Sequence, residues 1–449
     1  MTEPLLSVRD LKKHYPIKKG LLNRQVGAAR AVDGVSFDIA PGETLGLVGE
    51  SGCGKSTVAT SAIRLEEPTA GEVLFNGGDR RGATRNDDGT HPNDVTRFDK
   101  GELKAFRRDA QMIFQDPSSS FDPRMTVGAT IAELLSIHGM TDRGRRRRIV
   151  EDLIERVDLS ASDYDRYPHE FSGGQKQRLA LARALVLDPD LIIADEPVSA
   201  LDVSVKAEVL SLIDDLQAEF GLSLLFISHD MSVIREICDR VAVMYLGEIV
   251  ELGPTEEVFH GPEHPYTEAL LSSIPTPDPR ATLDEIELTG TVPSPTDPPS
   301  GCRFHTRCHR VIQPEDMEMD QAEWRRLLTL RKRIESREVD VEQATENLAL
   351  DDEPDDLSDE AIKSQLRSEF ELEAPLDSAT AEATLETALD RLVSGDADGA
   401  EEVLSSSFTT PCETTHPEFV DHDADHKSAC LLHVDDRPDS RIGVENVPQ

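Results

Sequence analysis

Residues 49–57, GESGCGKST, constrain the fold more than any other part of the sequence. They follow the apolar residues 44–48, which predict a buried strand of a parallel sheet, and they precede a segment with a helical pattern. The spacing fits G-x-x-x-x-G-K-[ST], in which glycines let the backbone wrap around an anion at the positive end of a helix. A strand, this loop and a helix in succession predict an α/β domain that binds phosphate groups.

The side chains of this loop supply further contacts that a nucleotide needs. Lys55 is expected to reach the β and γ phosphates, and the Ser56 hydroxyl is expected to ligate Mg²⁺. The alternative, an ordinary Gly-rich turn, is disfavoured by the strand and the helix on either side. The predicted ATP-binding residues of the loop are Gly49, Ser51, Gly52, Gly54, Lys55, Ser56 and Thr57.

A second apolar run, residues 191–194, is followed by two carboxylates, Asp195 and Glu196. Parallel strands place ligands at their C-terminal ends, so this run predicts a strand that delivers both acids to the phosphate site. Asp195 is expected to support the Mg²⁺ shell, and Glu196 to polarise the attacking water. An apolar run ending in Asp-Glu is common by itself, and its combination with residues 49–57 gives it this meaning.

Residues 172–175, Ser-Gly-Gly-Gln, followed by Lys-Gln-Arg, resemble the signature motif of the ABC ATPases. Physically this is an anion-binding turn at a helix start, and in that family it faces the γ-phosphate held by the opposite subunit. The resemblance implies two nucleotides sandwiched between two ATPase domains, and one copy of the motif means that a partner is required. It also implies nucleotide contacts for Ser172, Gly173, Gly174 and Gln175.

Four further positions match the family pattern one at a time. Gln115 in FQDP matches the Q-loop, which contacts metal, water and the membrane subunits, and Asp202 in SALD matches the D-loop at the dimer interface. His229 matches the switch histidine that contacts the γ-phosphate, and Tyr15 is the candidate for stacking on adenine. An unremarkable glutamine and a core aromatic remain the alternatives for Gln115 and Tyr15. The resemblance implies catalytic roles for Glu196, His229 and Gln115, and Mg²⁺ binding by Ser56, Gln115 and Asp195.

Connecting segments narrow the resemblance to the ATPases of oligopeptide/dipeptide importers. They include AVDGVSF at residues 31–37, IFQDPSSSFDPRMTVG at 113–128, DEPVSALDVSV at 195–205 and HPYTEALLSSIP at 264–275. Cys53 and the KST ending of the phosphate loop are closer to the F-type ATPase of these systems than to the D-type. The resemblance implies an ATPase coupled to peptide import, and it leaves open the nickel and short-sugar importers of the same family.

The same resemblance implies the partners of the chain. They are a D-type ATPase or a second copy, two transmembrane permease subunits and, indirectly, an extracellular solute-binding protein. No apolar run reaches the roughly 18 residues that span a bilayer, so we expect a peripheral subunit at the cytoplasmic face of the cell membrane. A soluble ABC ATPase that acts on DNA or ribosomes is the runner-up, but the sequence lacks the second ATPase domain, long coiled coil or basic surface of that class.

The formal net charge of −40 is unevenly spread along the chain. Residues 281–449 carry 41 acidic and 15 basic residues, so most of the excess lies in the C-terminal part. Such a surface repels nucleic acid, and we expect no nucleic-acid partner. A long acidic tail explains part of the excess. The carboxylate-rich surface of a halophilic archaeal protein explains the rest, because salt screens its repulsion.

Four of the six cysteines lie in the C-terminal part. Residues 292–308 resemble the C-terminal extension of the importer family, whose cysteines can bind a four-iron cluster. Four thiolates suit a 4Fe-4S cluster or Zn²⁺, and four unconnected thiols remain the alternative. Residues 309–411 separate the second cysteine from the third, and we interpret them as an acidic insertion. The four cysteines are Cys302, Cys308, Cys412 and Cys430.

The insertion has a mixed pattern. Residues 321–337 and 379–393 have helical periodicity, on either side of the acidic run DDEPDDLSDE at 351–360. We therefore expect it to be partly helical and partly disordered.

For the fold, the resemblance implies an α/β core with a mostly parallel sheet, an antiparallel β subdomain and an α-helical subdomain at about residues 116–185. Helical periodicity covers 129–157 and 175–188 in that subdomain, and prolines between 262 and 299 predict an extended segment. The predicted domains are the ABC ATPase at 1–262, the importer-type C-terminal extension at 263–308, the acidic insertion at 309–411 and a Cys-containing tail at 412–449.

Overall fold

The structure is a computed structural model that describes residues 3–20, 24–80, 82–274, 286, 288, 290–314, 317, 319–339, 341, 358–372, 375–422 and 425–434. The chain divides into two compact units. The first unit comprises Met1–Glu285, Thr291–Pro298 and Phe419–Ala429, and the second unit comprises Ile286–Gly290, Pro299–Glu418 and Cys430–Gln449.

The strands defined among the described residues all belong to the first unit. They are β1 Leu6–Lys19, β2 Arg24–Ile39, β3 Thr44–Val48, β4 Ala70–Phe75, β5 Ala110–Ile113, β6 Leu191–Asp195, β7 Ser223–Ser228, β8 Arg240–Tyr245, β9 Glu248–Pro254, β10 Val420–Asp421 and β11 Lys427–Ser428.

The larger of two sheets has the order β10-β11-β9-β8-β3-β7-β6-β5. β3 lies parallel to β7 and β8, and β6 lies parallel to β5 and β7, which confirms the predicted mostly parallel core. Every residue of β3, β6 and β7 is buried, because the strands of a parallel sheet are covered on both faces. β9, β11 and β10 extend one edge by antiparallel pairing.

The smaller sheet is the predicted antiparallel subdomain, in the order β2-β1-β4. Leu6 of β1 and Phe75 of β4 are fully buried, and they share one hydrophobic cluster with Leu45 of β3. The ring of Phe75 meets that of Phe106 edge to face, with 4.9 Å between the ring centres. This common core fixes the antiparallel subdomain against the strand that leads into the phosphate loop.

The α-helices of the first unit lie mainly between these strands in sequence. Those in its described residues are α1 Lys55–Ala62, α2 Lys100–Asp109, α3 Val127–Ile137, α4 Arg143–Arg156, α5 Gly173–Leu185, α6 Val203–Phe220, α7 Met231–Ile237, α8 Thr255–His260 and α9 Pro265–Ser272.

Two sequence predictions about these helices need correction. The pattern over residues 129–157 forms two helices, α3 and α4, because Gly139 adopts a left-handed φ of 94° just after α3 and ends it. The Pro-rich segment is not wholly extended, because Pro265 begins α9, where its missing N–H costs no hydrogen bond. Among the described residues, no helix is long and apolar enough to cross a bilayer.

The second unit contains α10 Gln321–Glu335, α11 Asp359–Glu369, α12 Ala379–Val393, α13 Ala397–Ser407 and α14 Pro411–Thr414. The predicted helices near 321–337 and 379–393 are confirmed. Trp324 and Phe408 are fully buried and meet edge to face at 5.9 Å between ring centres, and Leu385 is also fully buried. The described part of the insertion therefore has an apolar core of its own. Residues 351–357 of the acidic run lie outside the described residues.

Candidate nucleotide-binding site

The phosphate loop joins the end of β3 to the start of α1. Gly49, Gly52 and Gly54 adopt φ values of 152°, 82° and 111°, which residues with a side chain rarely do. A Cβ atom at Gly49 would lie 2.1 Å from the Met244 carbonyl oxygen, and one at Gly54 would lie 2.0 Å from that of Ala31. The loop backbone is thus held tightly between β2 and β8, as a cradle for an anion requires.

Lys55 and Ser56 begin the helix that follows the loop. Lys55 is 5% exposed, and its Nζ donates to the carbonyl oxygens of Gly49 at 2.8 Å and Glu50 at 3.1 Å. The Ser56 hydroxyl donates to Asp195 Oδ1 at 3.1 Å. Burial raises the pKa of Asp195, and the hydrogen bond from Ser56 opposes that rise. A hydroxyl next to a buried carboxylate suits a divalent cation, which prefers oxygen ligands.

Glu196 is the centre of a three-residue contact. Gln115 Nε2 donates to Glu196 Oε2 at 3.0 Å, and His229 Nδ1 lies 3.0 Å from Glu196 Oε1. Because a carboxylate can only accept, this pair requires the proton on His229 Nδ1. Glu196 also has a left-handed φ of 47°, and its amide donates to the Ile227 carbonyl oxygen at 3.0 Å. The backbone therefore turns sharply after β6 and presents the carboxylate to both side chains.

The Ser-Gly-Gly-Gln turn starts α5. The Ser172 amide donates to Gln175 Oε1 at 3.0 Å and the Gln175 amide donates to the Ser172 hydroxyl at 3.4 Å, which forms a capping box. Ser172 and Gly173 are exposed, whereas Gly174 is buried, with a Cβ position 2.4 Å from Val205 Cγ1. The hydrogen bonds of this turn lie within it, and its outer surface presents a helix start to solvent.

Asp202 caps the next long helix. Its carboxylate accepts from the Val205 amide at 3.1 Å and the Ser204 hydroxyl at 3.0 Å, and these hydrogen bonds lower its pKa. One turn into α6, Lys206 forms an ion pair with Asp230, the residue after His229. Sequence reasoning missed this link between the D-loop helix and His229, because the partners are 24 positions apart and no local pattern joins them.

Tyr15 lies on β1 near the end of the phosphate loop. Its ring is 37% exposed and its hydroxyl donates to the Glu66 carboxylate. Partial burial raises the pKa of Tyr15, Glu66 adds to the rise, and a hydrogen bond with Thr57 opposes it. The structure thus brings this aromatic side chain to the phosphate-loop helix with part of its surface open. Tyr266, which sequence reasoning did not identify, also reaches the loop by accepting from the Glu50 amide at 2.8 Å.

The four C-terminal cysteines all lie in the second unit. Burial raises the pKa of the Cys308 thiol well above its usual range, and Cys302, Cys412 and Cys430 add to the rise, so their thiols are close to it. The Cys302 amide donates to the Cys412 carbonyl oxygen at 2.8 Å, which joins two distant segments.

Three family models match consecutive parts of the chain. The model described as ABC transporter matches residues 32–199, and the model described as oligopeptide/dipeptide transporter, C-terminal region, matches residues 250–313. A model described as a domain of unknown function, DUF8228, matches residues 321–425. The third match falls mainly in the helical second unit.

Transport ATP-binding proteins of bacteria are similar in sequence to about two thirds of this chain. The oligopeptide transport ATP-binding protein AppF of Bacillus subtilis is 51% identical over 309 residues, which are 68% of this chain and 89% of the relative. The dipeptide transport ATP-binding protein DppF of Haemophilus influenzae is 49% identical over 311 residues, or 69% of this chain and 90% of the relative. Among solved structures, the dimeric ATP-binding cassette MJ0796 bound to ADP and Pi is 26% identical, with a TM-score of 0.47, and covers 56% of this chain and 98% of its own.

Proposed function

The chain belongs to the ATP-binding subunits of the oligopeptide/dipeptide import ABC transporters, and we propose that Glu196, held between Gln115 and His229, drives its ATP hydrolysis. The observation that carries this proposal is the pair of 3.0 Å contacts on the two oxygens of one carboxylate, next to the Ser56 and Asp195 pair. A carboxylate oriented in this way can accept a hydrogen bond from a water molecule and so polarise it.

The phosphates of ATP are bound by the loop. Its backbone amides and Lys55 surround the β and γ phosphates. The burial of Lys55 and the contacts of its Nζ with loop carbonyl oxygens support this role. Ser56, Asp195 and Gln115 would hold Mg²⁺, which supplies charge neutralisation at the phosphates. His229 contacts the γ-phosphate, and the part-open ring of Tyr15 stacks on adenine. The loop contacts come from Gly49, Ser51, Gly52, Gly54, Lys55, Ser56 and Thr57.

Two exposed helix starts act on a partner ATPase. The turn from Ser172 to Gln175 faces the γ-phosphate of the nucleotide that the partner holds, and Asp202 lies at the same interface. The exposure of Ser172 and Gly173 supports this role, since neither is covered within the first unit. The partner is a D-type ATPase or a second copy. The two ATPases bind two permease subunits at the cytoplasmic face of the membrane. An extracellular solute-binding protein delivers the solute to those permease subunits.

In this proposal, each of four segments of the chain has its own role. Residues 1–262 form the nucleotide-binding domain, 263–308 the importer-type extension, 309–411 an acidic insertion, and 412–449 the tail that completes the cysteine set. The acidic surface, with a net charge of −40, suits a high-salt interior of the kind found in halophilic archaea.

The four cysteines of the second unit hold a 4Fe-4S cluster in this proposal. Zn²⁺ bound by the same four thiolates is the alternative. The influence of the other three thiols on Cys308 and the hydrogen bond between Cys302 and Cys412 support one shared site, which Cys302, Cys308, Cys412 and Cys430 would form.

Metal analysis of anaerobically purified protein tests the cluster. We expect iron and a broad visible absorption in the parent and in Cys238→Ser, a control cysteine of the first unit, and loss of both in Cys308→Ser. Zinc in place of iron, or neither metal, would contradict the cluster.

Replacement of Glu196 tests the hydrolytic role. Glu196→Gln removes the negative charge while keeping the size of the side chain, so ATP binding should persist and hydrolysis should fall by at least about 100-fold. Glu219→Gln, on the exposed surface of α6, is the matched control and should hydrolyse ATP like the parent. Parental turnover in the Glu196 variant would show that another residue polarises the water.

A further inference from the structure

The phosphate loop forms a hydrogen bond with a residue far along the chain. The Glu50 amide donates to the Tyr266 hydroxyl at 2.8 Å, across 216 positions. Tyr266 lies on α9 and is fully buried, and its ring centre is 4.7 Å from that of Tyr245 on β8. Burial raises the pKa of Tyr266, so the hydroxyl stays protonated. A side chain from outside the loop therefore sets the direction of one loop amide.

The same loop turn is held from the other side. The Gly247 amide, in the turn between β8 and β9, donates to the Cys53 carbonyl oxygen at 2.9 Å. Inside the loop, the Cys53 amide donates to the Glu50 carbonyl oxygen at 3.3 Å. Tyr266 and Gly247 thus fix the two ends of the turn from Glu50 to Cys53. Since the loop amides must converge on one anion, fixing both ends presets the cradle before ATP arrives.

A buried carboxylate anchors the helix that carries Tyr266. Glu251 on β9 is fully buried and accepts from the amides of Glu263 at 2.8 Å and His264 at 3.0 Å, at the start of α9. His264 Nδ1 in turn accepts from the Tyr266 amide at 3.1 Å. These hydrogen bonds and the Tyr266 side chain together connect Glu251 to the phosphate loop.

The buried Glu251 carboxylate also contacts a residue that follows the helical insertion in the sequence. His426 Nε2 lies 2.7 Å from Glu251 Oε1, and the neighbouring strand β11 pairs with β9. A Cβ atom at Gly253 would lie 2.8 Å from His426 Cδ2, so glycine at this position lets the imidazole approach. The short β10–β11 hairpin thereby brings an imidazole partner to the buried Glu251 carboxylate.

We infer that Tyr266 is a positioning residue of the ATP site, whose hydroxyl orients the phosphate loop, and that Glu251 with His426 fixes the helix that carries it. This inference rests on the proposed function, because it concerns the same site. Tyr266 acts through the Glu50 amide and not by contact with the nucleotide, since its side chain is fully buried.

Removal of one oxygen atom tests the inference. Tyr266→Phe keeps the ring against Tyr245, and in the full-length chain we expect the KM for ATP to rise about threefold to tenfold, as for one lost hydrogen bond. The kcat should stay within about twofold of the parent, because the contact is the same in the ground state and the transition state. Tyr164→Phe, a tyrosine of the helical subdomain, is the control and should change neither constant. An unchanged KM in the Tyr266 variant would overturn the inference.

Hydrogen exchange on the parent gives a second measurement that depends on no variant. Without nucleotide, the Glu50 amide should exchange far more slowly than an unprotected amide, and fast exchange would overturn the inference. A parent that neither binds nor hydrolyses ATP contradicts the proposed function, and this inference with it. If the parent hydrolyses ATP, Glu196→Gln is inactive and Tyr266→Phe matches the parent, the inference alone is wrong.

Discussion

Both units bury a lysine, and the partners of the two lysines differ in kind. In the first unit, the Nζ of Lys55 contacts the backbone carbonyl oxygens of Gly49 and Glu50. In the second unit, the side chain of Lys363 on α11 is 8% exposed, and its Nζ lies 2.9 Å from Asp390 Oδ1 and 3.1 Å from Glu386 Oε2, both on α12. Lys55 is held by neutral groups, whereas Lys363 is held by carboxylates.

The difference suggests two uses of a buried positive charge: Lys55 is available to a ligand, whereas Lys363 stabilises the fold. A buried ammonium that has only neutral hydrogen-bond partners gains a full counter-charge when a phosphate arrives, and the gain appears as ligand affinity. An ammonium already paired with carboxylates has no such gain to offer. The second unit uses Lys363 to join acidic helices, while in the proposed function the first unit directs Lys55 at an anion site.

The largest effect is expected from removal of the Lys55 charge in the first unit. Lys55→Ala should lower kcat/KM for ATP on the order of 1,000-fold, as when a charged donor to a transition-state oxygen is removed. Lys104→Ala on the exposed surface of α2 is the control, and steady-state hydrolysis by the full-length chain is the measurement. Near-parental hydrolysis in the Lys55 variant would break the comparison, because Lys55 would then be structural.

The next largest effect is expected from a cavity created by substitution in the second unit. Leu385→Ala should lower the free energy of unfolding of that unit by about 3 kcal/mol, because Leu385 is fully buried. Trp324 is the single tryptophan of the chain and lies in the core of the second unit, so its fluorescence follows the unfolding of that unit.

The control and the second readout sharpen this test. Thr387→Ala on the exposed face of α12 should melt like the parent. ATP hydrolysis at a temperature below the transition should be unchanged in Leu385→Ala, because the ATP site belongs to the first unit. A parallel loss of hydrolysis would mean that the units do not fold independently.

A smaller effect is expected from the lysine of the second unit. Lys363→Ala should destabilise the unit by about 2 kcal/mol, less than for a fully buried pair, because Glu386 and Asp390 are partly exposed. Hydrolysis of ATP should be unaffected. Lys332→Ala on the exposed side of α10 is the control, and Trp324 fluorescence during urea unfolding is the measurement. A change in the KM for ATP in Lys363→Ala would contradict the purely structural role.

Local patterns made much of the first unit predictable. Residues 49–57 and the run ending at Asp195 and Glu196 each combine a buried strand with polar residues next to it, and both lie where the sequence placed them. The helix Ala379–Val393 has its predicted bounds, because amphipathic periodicity and the Ser378 cap occur together. Such signals need only neighbouring residues.

Contacts between distant residues left no such signal. The two-residue strands β10 and β11 are too short to show a period, and β9, the partner of β11, lies more than 160 positions earlier. The contact of Tyr266 with Glu50 is a single hydrogen bond between segments that each have an ordinary local pattern. Sequence spacing therefore located the phosphate loop and the two carboxylates after β6, and it missed the contacts between distant residues.

The smallest expected effect concerns the ion pair that holds this hairpin. The hydrogen bond with Glu251 raises the pKa of His426, and the charges of Glu251, Glu263 and Glu257 add to the rise, while burial opposes it. The ring of His422 also faces His426, at 5.6 Å between ring centres. A raised pKa means that the protonated form contributes its stability fully below about pH 6.5, and that this contribution is lost as the pH rises through the folded-state pKa.

Amide exchange can detect this change in the hairpin. The Ala429 amide donates to the Val250 carbonyl oxygen at 2.8 Å, so its protection reports the docking of β11 on β9. In the parent, protection corrected for intrinsic exchange should fall by less than about 1 kcal/mol as the pH rises above 6.5. His426→Gln, which keeps a donor but not the charge, should show a flat profile. Equal slopes in the two proteins would mean that the charge of His426 does not hold the hairpin.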